Sequence, residues 1–165
     1  MPKSALFALF AAAAAFAATM YAVAPSAGAM EDTTIQLFEH DTQQASLNLG
    51  GQGNNPGNLL VFAGDLFDHA GGPKLGRMGG SCMTTSGDAQ NAGEVLCTVS
   101  FVLPRGQITG DGLFDAGAMF VDGKTLAFPI TGGTGRYNGA HGYATVQVPP
   151  DVPNETDANF VLYLS

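Results

Sequence analysis

At 165 residues the chain has room for one domain around one core, which excludes a multidomain arrangement. Its formal charge of −8, with only six Lys and Arg spread along the sequence, leaves no basic stripe. That excludes nucleic acid as a partner and disfavours anionic membrane surfaces.

In chain order, Lys3 is the only charge before Glu31, and Ala5 to Val23 is nearly all Ala, Leu, Phe and Met. A cationic start, an apolar run and then small residues is the layout of a secretory signal peptide. Two small-x-small cutting sites follow, Ala22-Val23-Ala24 and Ala27-Gly28-Ala29. Cleavage is expected after Ala29, because a cut after Ala24 would place Pro25 just beyond the scissile bond. Residues 1–29 are thus expected to be removed and 30–165 to form a secreted or periplasmic domain with no membrane contact after cleavage. The alternative is an uncleaved anchor, since the apolar run approaches a spanning length. Cysteine is absent near both sites, which speaks against a lipid-anchored lipoprotein.

Beyond the leader, short apolar runs alternate with turn clusters every dozen or so residues, the pattern of an all-β sandwich or barrel. The expected strands are Thr33–Asp41, Asn58–Leu66, Leu75–Thr85, Gly93–Leu103, Gly106–Phe114, Thr125–Thr131, Gly139–Val148 and Asn159–Leu164. In the fourth, Val95, Cys97, Val99, Phe101 and Leu103 share one face and Leu96, Thr98, Ser100 and Val102 the other. Clusters such as Gly71-Gly72-Pro73, Ser86-Gly87-Asp88 and Asp122-Gly123 supply the turns. Eight strands joined by short turns leave two costly edges unless the sheet closes. An eight-stranded antiparallel β-barrel is therefore expected, its interior either filled or holding one small ligand.

Cys82 and Cys97 stand equally far from a turn near Ala89-Gln90, which sets them opposite each other across a hairpin. In an exported protein they are expected to form one disulfide, the competing state being two small buried thiols.

The segment Ile130-Thr-Gly-Gly-Thr-Gly-Arg-Tyr-Asn-Gly-Ala-His-Gly-Tyr-Ala-Thr-Val146 resembles the signature of the allene oxide cyclase and dirigent families. Its glycines suit a tight corner between barrel strands, with Tyr137 placed to plug a barrel end. It does not suit a nucleotide loop: Asn138 stands where a third Gly is needed, and a strand pattern rather than a helix follows. Phe38-Glu39-His40-Asp41, Phe62-Ala-Gly-Asp-Leu-Phe-Asp68, Leu75-Gly-Arg-Met-Gly-Gly-Ser-Cys82 and Gly106-Gln-Ile-Thr-Gly-Asp-Gly-Leu-Phe114 resemble family segments in the family order. The resemblance implies a calycin-like barrel, often a dimeric or trimeric homo-oligomer, that handles reactive apolar small molecules.

Plant allene oxide cyclases carry a Glu and, two residues on, an Asn in strand one, and the resemblance assigns these positions to Gln36 and Phe38. A pocket Asn falls near Gly64, a pocket Tyr near Phe114, and a cysteine at Cys82, so most of that constellation is missing. The dirigent pattern does better: its His-Asp resembles His40-Asp41, its paired Asp resembles Asp65 with Asp68 nearby, and its Arg falls at His141. Asp41, Asp65 and His141 are accordingly the candidate catalytic acids and bases. Gln36, Phe38, Phe62, Phe114 and Tyr137 are the candidate ligand-lining residues.

The spacing of His40, His69 and His141 makes no metal motif, and nothing calls for a cofactor. Asn154-Glu-Thr156 matches a glycosylation acceptor, which matters only in a host that glycosylates. Two functions stand against each other. One is an enzyme or guide for isomerisation, cyclisation or stereoselective coupling of an apolar molecule; the other is a non-catalytic, lipocalin-like carrier. An ionisable side chain pointing into the cavity discriminates them. A filled barrel acting through its surface is the third.

Overall fold

The computed structural model describes residues 32–88, 90–149 and 157–165, so the expected leader, Ala89 and Asn154-Glu-Thr156 lie outside the described residues. Eight strands follow in order: β1 (Thr33–Leu47), β2 (Leu59–Phe67), β3 (Lys74–Ser86), β4 (Glu94–Leu103), β5 (Gly106–Asp115), β6 (Leu126–Gly133), β7 (Gly142–Gln147) and β8 (Ala158–Leu164). Each pairs antiparallel with the next, and β8 returns to β1 from Thr33·Leu164 to Glu39·Ala158, closing the barrel. The closed all-β architecture agrees with the sequence.

Alternation builds the wall. In β4, Val95, Cys97, Phe101 and Leu103 are buried while Leu96 and Thr98 are exposed. The interior then divides into two halves. In one, Phe101, Leu66, Ile108 and Leu162 are fully buried, and Phe101 meets Phe160 edge-on at 5.1 Å. Each such side chain contributes about 1.5–3 kcal/mol of burial, and this half is filled.

The Gly-rich signature seals the filled end. A short 3₁₀ turn (Gly135–Tyr137) folds against the β4–β5 hairpin, with Arg136 N–H donating to the Arg105 carbonyl at 2.8 Å and Thr134 N–H to the Gln107 carbonyl at 2.8 Å. Gly135 takes φ +63°, and a Cβ there would collide with the Arg105 carbonyl, so the motif is built for close backbone approach.

The other half is left open by two departures from the expected elements. First, β1 continues past Asp41 to Leu47 after a bulge between Asp41 and Gln43. The polar run Thr42-Gln-Gln-Ala-Ser has no alternation to mark it as strand; it is held by pairing to β2, from Gln43·Ala63 to Leu47·Leu59. The β1–β8 ladder has already ended at Glu39·Ala158, so the wall parts there. Second, a short helix α1 (Ala116–Phe120) follows β5, capped by Asp115, whose carboxylate accepts the Ala118 N–H at 2.8 Å. Smaller differences are a β7 that begins at Gly142 rather than Gly139, because the 3₁₀ turn occupies the approach.

Outside, Leu47, Leu59, Met83, Leu96 and Leu113 lie side by side in register across β1 to β5, and all but Leu59 are exposed.

Candidate functional site

The open half borders about 650 Å³ of space, counting the open solvent at its mouth. Its wall is apolar: Phe62 from β2, Phe114 from β5, Phe128 from β6 and Phe160 from β8 line it, with Met119 and Phe120 of α1 at the rim. Phe114 and Phe128 meet edge-to-face at 5.9 Å. Glycines on neighbouring strands make room for the rings: a Cβ at Gly80 would lie 2.7 Å from Phe62, and one at Gly110 2.7 Å from Phe128.

Cys82 and Cys97 are directly paired across β3 and β4, with Cα atoms 4.0 Å apart, and are joined as a disulfide that forms part of the cavity wall. This settles the two alternatives left by the sequence in favour of the bridge.

Against this lining stand two carboxyl groups on β1, Glu39 and Asp41, with Gln44 beyond them towards the mouth. Glu39 is 3% exposed, and its Oε1 has no hydrogen-bond partner among the described residues. Burial first, then the nearby charges of Asp41 and Asp157, push its pKa from 4.5 up to about 8. Gly64, opposite on β2, leaves the space the carboxyl occupies; a Cβ there would collide with Oε1.

Behind the pair, Asp157 is buried just before β8. Its carboxylate accepts the Asp41 N–H at 3.1 Å, and His40 Nδ1 lies 3.0 and 3.1 Å from its two oxygens. A side chain thus takes the place of the backbone ladder where β1 and β8 separate, holding Glu39 and Asp41 at the lip of the opening.

The sequence-derived candidates divide. Asp41, a candidate acid–base group, and Phe62 and Phe114, candidate lining residues, all lie on the cavity wall. Gln36 and Phe38 do not: they alternate with the inward Leu37 and Glu39 and face outward, so the acidic pair spaced two residues apart sits at 39 and 41 instead. Asp65 also faces outward, bonded to Lys74 at 2.7 Å. His141 is exposed beside the C-terminal end of β8, its Nδ1 3.2 Å from the Gly139 carbonyl and its own carbonyl accepting the Ser165 N–H. Tyr137 packs on the core at the filled end, as a plug rather than a ligand contact.

Glu39, Asp157 and the α1 rim were not singled out from sequence as site residues. The signal for Glu39 was present, a carboxyl two residues from Asp41 on the same strand face. For α1 it was the capping Asp115 after a strand. Among the described residues no three His, Cys, Asp or Glu side chains converge to hold a metal.

Compared with known families, residues 31–162 match the model described as allene oxide cyclase barrel like domain. The chain belongs to this family. Among solved structures, this family member is similar to a pyocyanin demethylase, at 24% identity and a TM-score of 0.64 over 79% of this chain and 99% of the other. It is also similar to the Diels Alderase AbmU from Streptomyces koyangensis, at 23% identity and 0.64 over 81% of this chain and 63% of that one. A pterocarpan synthase dirigent protein matches at 17% identity and 0.58 over 81% and 83%. At these identities the likeness shows the shared barrel. No curated protein matches by sequence.

Proposed function

We propose that this barrel admits a small, mostly apolar molecule through its open half and guides its isomerisation, cyclisation or stereoselective coupling, with Glu39 as the acid–base group. The observation that carries this is an unpaired carboxyl buried in an apolar hollow. Leaving such a group without a partner costs about 1–3 kcal/mol, and a structural role would be served better by an apolar residue. With a pKa near 8, Glu39 holds a proton at neutral pH and can return it, the condition a general acid–base catalyst needs. The aromatic wall supplies shape that holds a reactive conformer. A cyclase of a [4 + 2] cycloaddition and a dirigent protein on the same barrel support chemistry of this kind.

The test is native mass spectrometry of the protein purified from its producer, with identification of any bound compound. Wild type is expected to convert that compound, while Glu39→Gln binds it and leaves it unchanged. A compound that wild type holds unaltered would favour the carrier instead.

Export of the mature domain is part of the same proposal, supported by the disulfide, which persists in oxidising compartments. Intact mass of the mature protein is expected to begin at Met30. Self-association as a dimer or trimer is supported by the apolar row from Leu47 to Leu113 on the outer wall. Leu113→Lys is expected to shift the sedimentation of such an oligomer to that of one chain.

A further inference from the structure

We infer that the hollow takes a cationic aromatic molecule, whose positive group meets Glu39 and Asp41 and whose rings lie among Phe62, Phe114 and Phe128. The inference rests on the ligand-cavity reading above and narrows it to a chemical class.

The first observation is the sign of every charge on the wall. Glu39 and Asp41 are the ionisable groups that line the cavity, and both are acids. Beyond the leader the cations are Lys74, Arg77, Arg105, Lys124 and Arg136, all among the described residues, and none lines it. Lys74 is bonded to Asp65 and Lys124 to Asp122, and the three arginines are exposed. The histidines are elsewhere as well, His40 on Asp157 and His69 on Asp68. A carboxylate or phosphate ligand would find no cation here, would meet the charge of Asp41, and would hold Glu39 in its uncharged form.

The second observation is the unpartnered Oε1 of Glu39, which lines the cavity: that oxygen is buried in the niche left by Gly64, with no donor among the described residues to satisfy it. A ligand that brings a donor or a positive charge supplies a partner once the Glu39 side chain turns from that niche into the cavity, and a charge-assisted contact there is the stronger of the two. The third is the wall itself. Phenylalanine faces attract cations, and Met78, Met119 and the disulfide add polarizable sulfur.

Proton linkage gives the class a signature. Facing Glu39 are Asp41 on its own strand and Asp157 before β8, the latter paired with His40; β2 and β3 present the uncharged Gly64 and Met78. A cation favours the ionised form of Glu39, so its binding should release a proton and tighten as pH rises towards about 8.

The experiment uses three fluorescent three-ring probes of similar size with the full mature protein: N-methylacridinium, neutral acridine at pH 7.5 and anthracene-9-carboxylate. The cation is expected to bind about tenfold or more tightly than acridine, and the carboxylate most weakly. Glu39→Gln with Asp41→Asn should remove the preference while acridine binding survives. Gln44→Lys, on an exposed rim position that leaves the core intact, should weaken the cation and admit the carboxylate. Equal binding of cation and acridine, or tightest binding of the carboxylate, would overturn the class while leaving the cavity in place. Failure of all three probes, and of a neutral apolar dye, would overturn the cavity reading and this inference with it.

Discussion

The two halves of the barrel are built from the same strands and stabilised in different ways. The filled half relies on packing: Phe101, Leu66, Ile108 and Leu162 interlock, and the Gly-rich turn closes over them. The hollow half gives up that packing. Its wall is held by the backbone ladder, the Cys82–Cys97 bridge and the short helix, and it holds an unpaired acid that packing would have excluded. The site is the part of the core the fold did not fill.

The largest expected effect is in the filled half. Phe101→Ala should lower stability by about 3–5 kcal/mol in denaturant melts, through lost transfer energy and a new cavity. Phe62→Ala, on a wall that already faces empty space, should cost under about 2 kcal/mol. Equal losses would mean the halves do not differ.

The second effect concerns Glu39 and has a definite sign. Its folded pKa is about 8 against 4.5, so between these values the folded state binds the extra proton. Its contribution is fully present below 4.5 and is lost as pH rises through 8. Glu39→Gln should therefore be more stable than wild type at pH 9, by up to about 5 kcal/mol, and close to it at pH 4. Melts at the two pH values measure the difference, and an unchanged gap would place the carboxyl in water.

Third, the Cys82→Ser and Cys97→Ser double variant should lose about 3 kcal/mol, from a bridge that spans 15 residues of sequence. The loss should appear as hydrogen exchange in β3 and β4 around the hollow, sparing the amides near Phe101. The smallest effect belongs to the outer surface. Asp65→Asn breaks an exposed pair with Lys74 and should change stability by less than about 1 kcal/mol, with ligand binding unaltered.

Much of the barrel was legible because closure, alternation and turn chemistry are local or nearly so. The Cys82·Cys97 register followed from counting across a hairpin. Strand one shows where that stops. Its inward set is Ile35, Leu37, Glu39 and Asp41, and its outward set is Gln36, Phe38 and His40. Each set mixes apolar with polar, so a period of two separates the faces without saying which is inside. Asp65 and His141 failed as cavity groups for a related reason: a charge in a motif carries no information on the side of the sheet it occupies.

What the sequence by itself determined is the number of strands, their antiparallel order, the closure that removes the edges, and the cysteine pair. Tertiary structure alone decided which face of β1 turns inward, where β1 and β8 part, and that Asp157 reaches His40 and the Asp41 N–H across more than a hundred residues. The physical reason is that burial belongs to the whole barrel. Glu39 becomes an acid near neutral pH only when seven other strands take the water away from it.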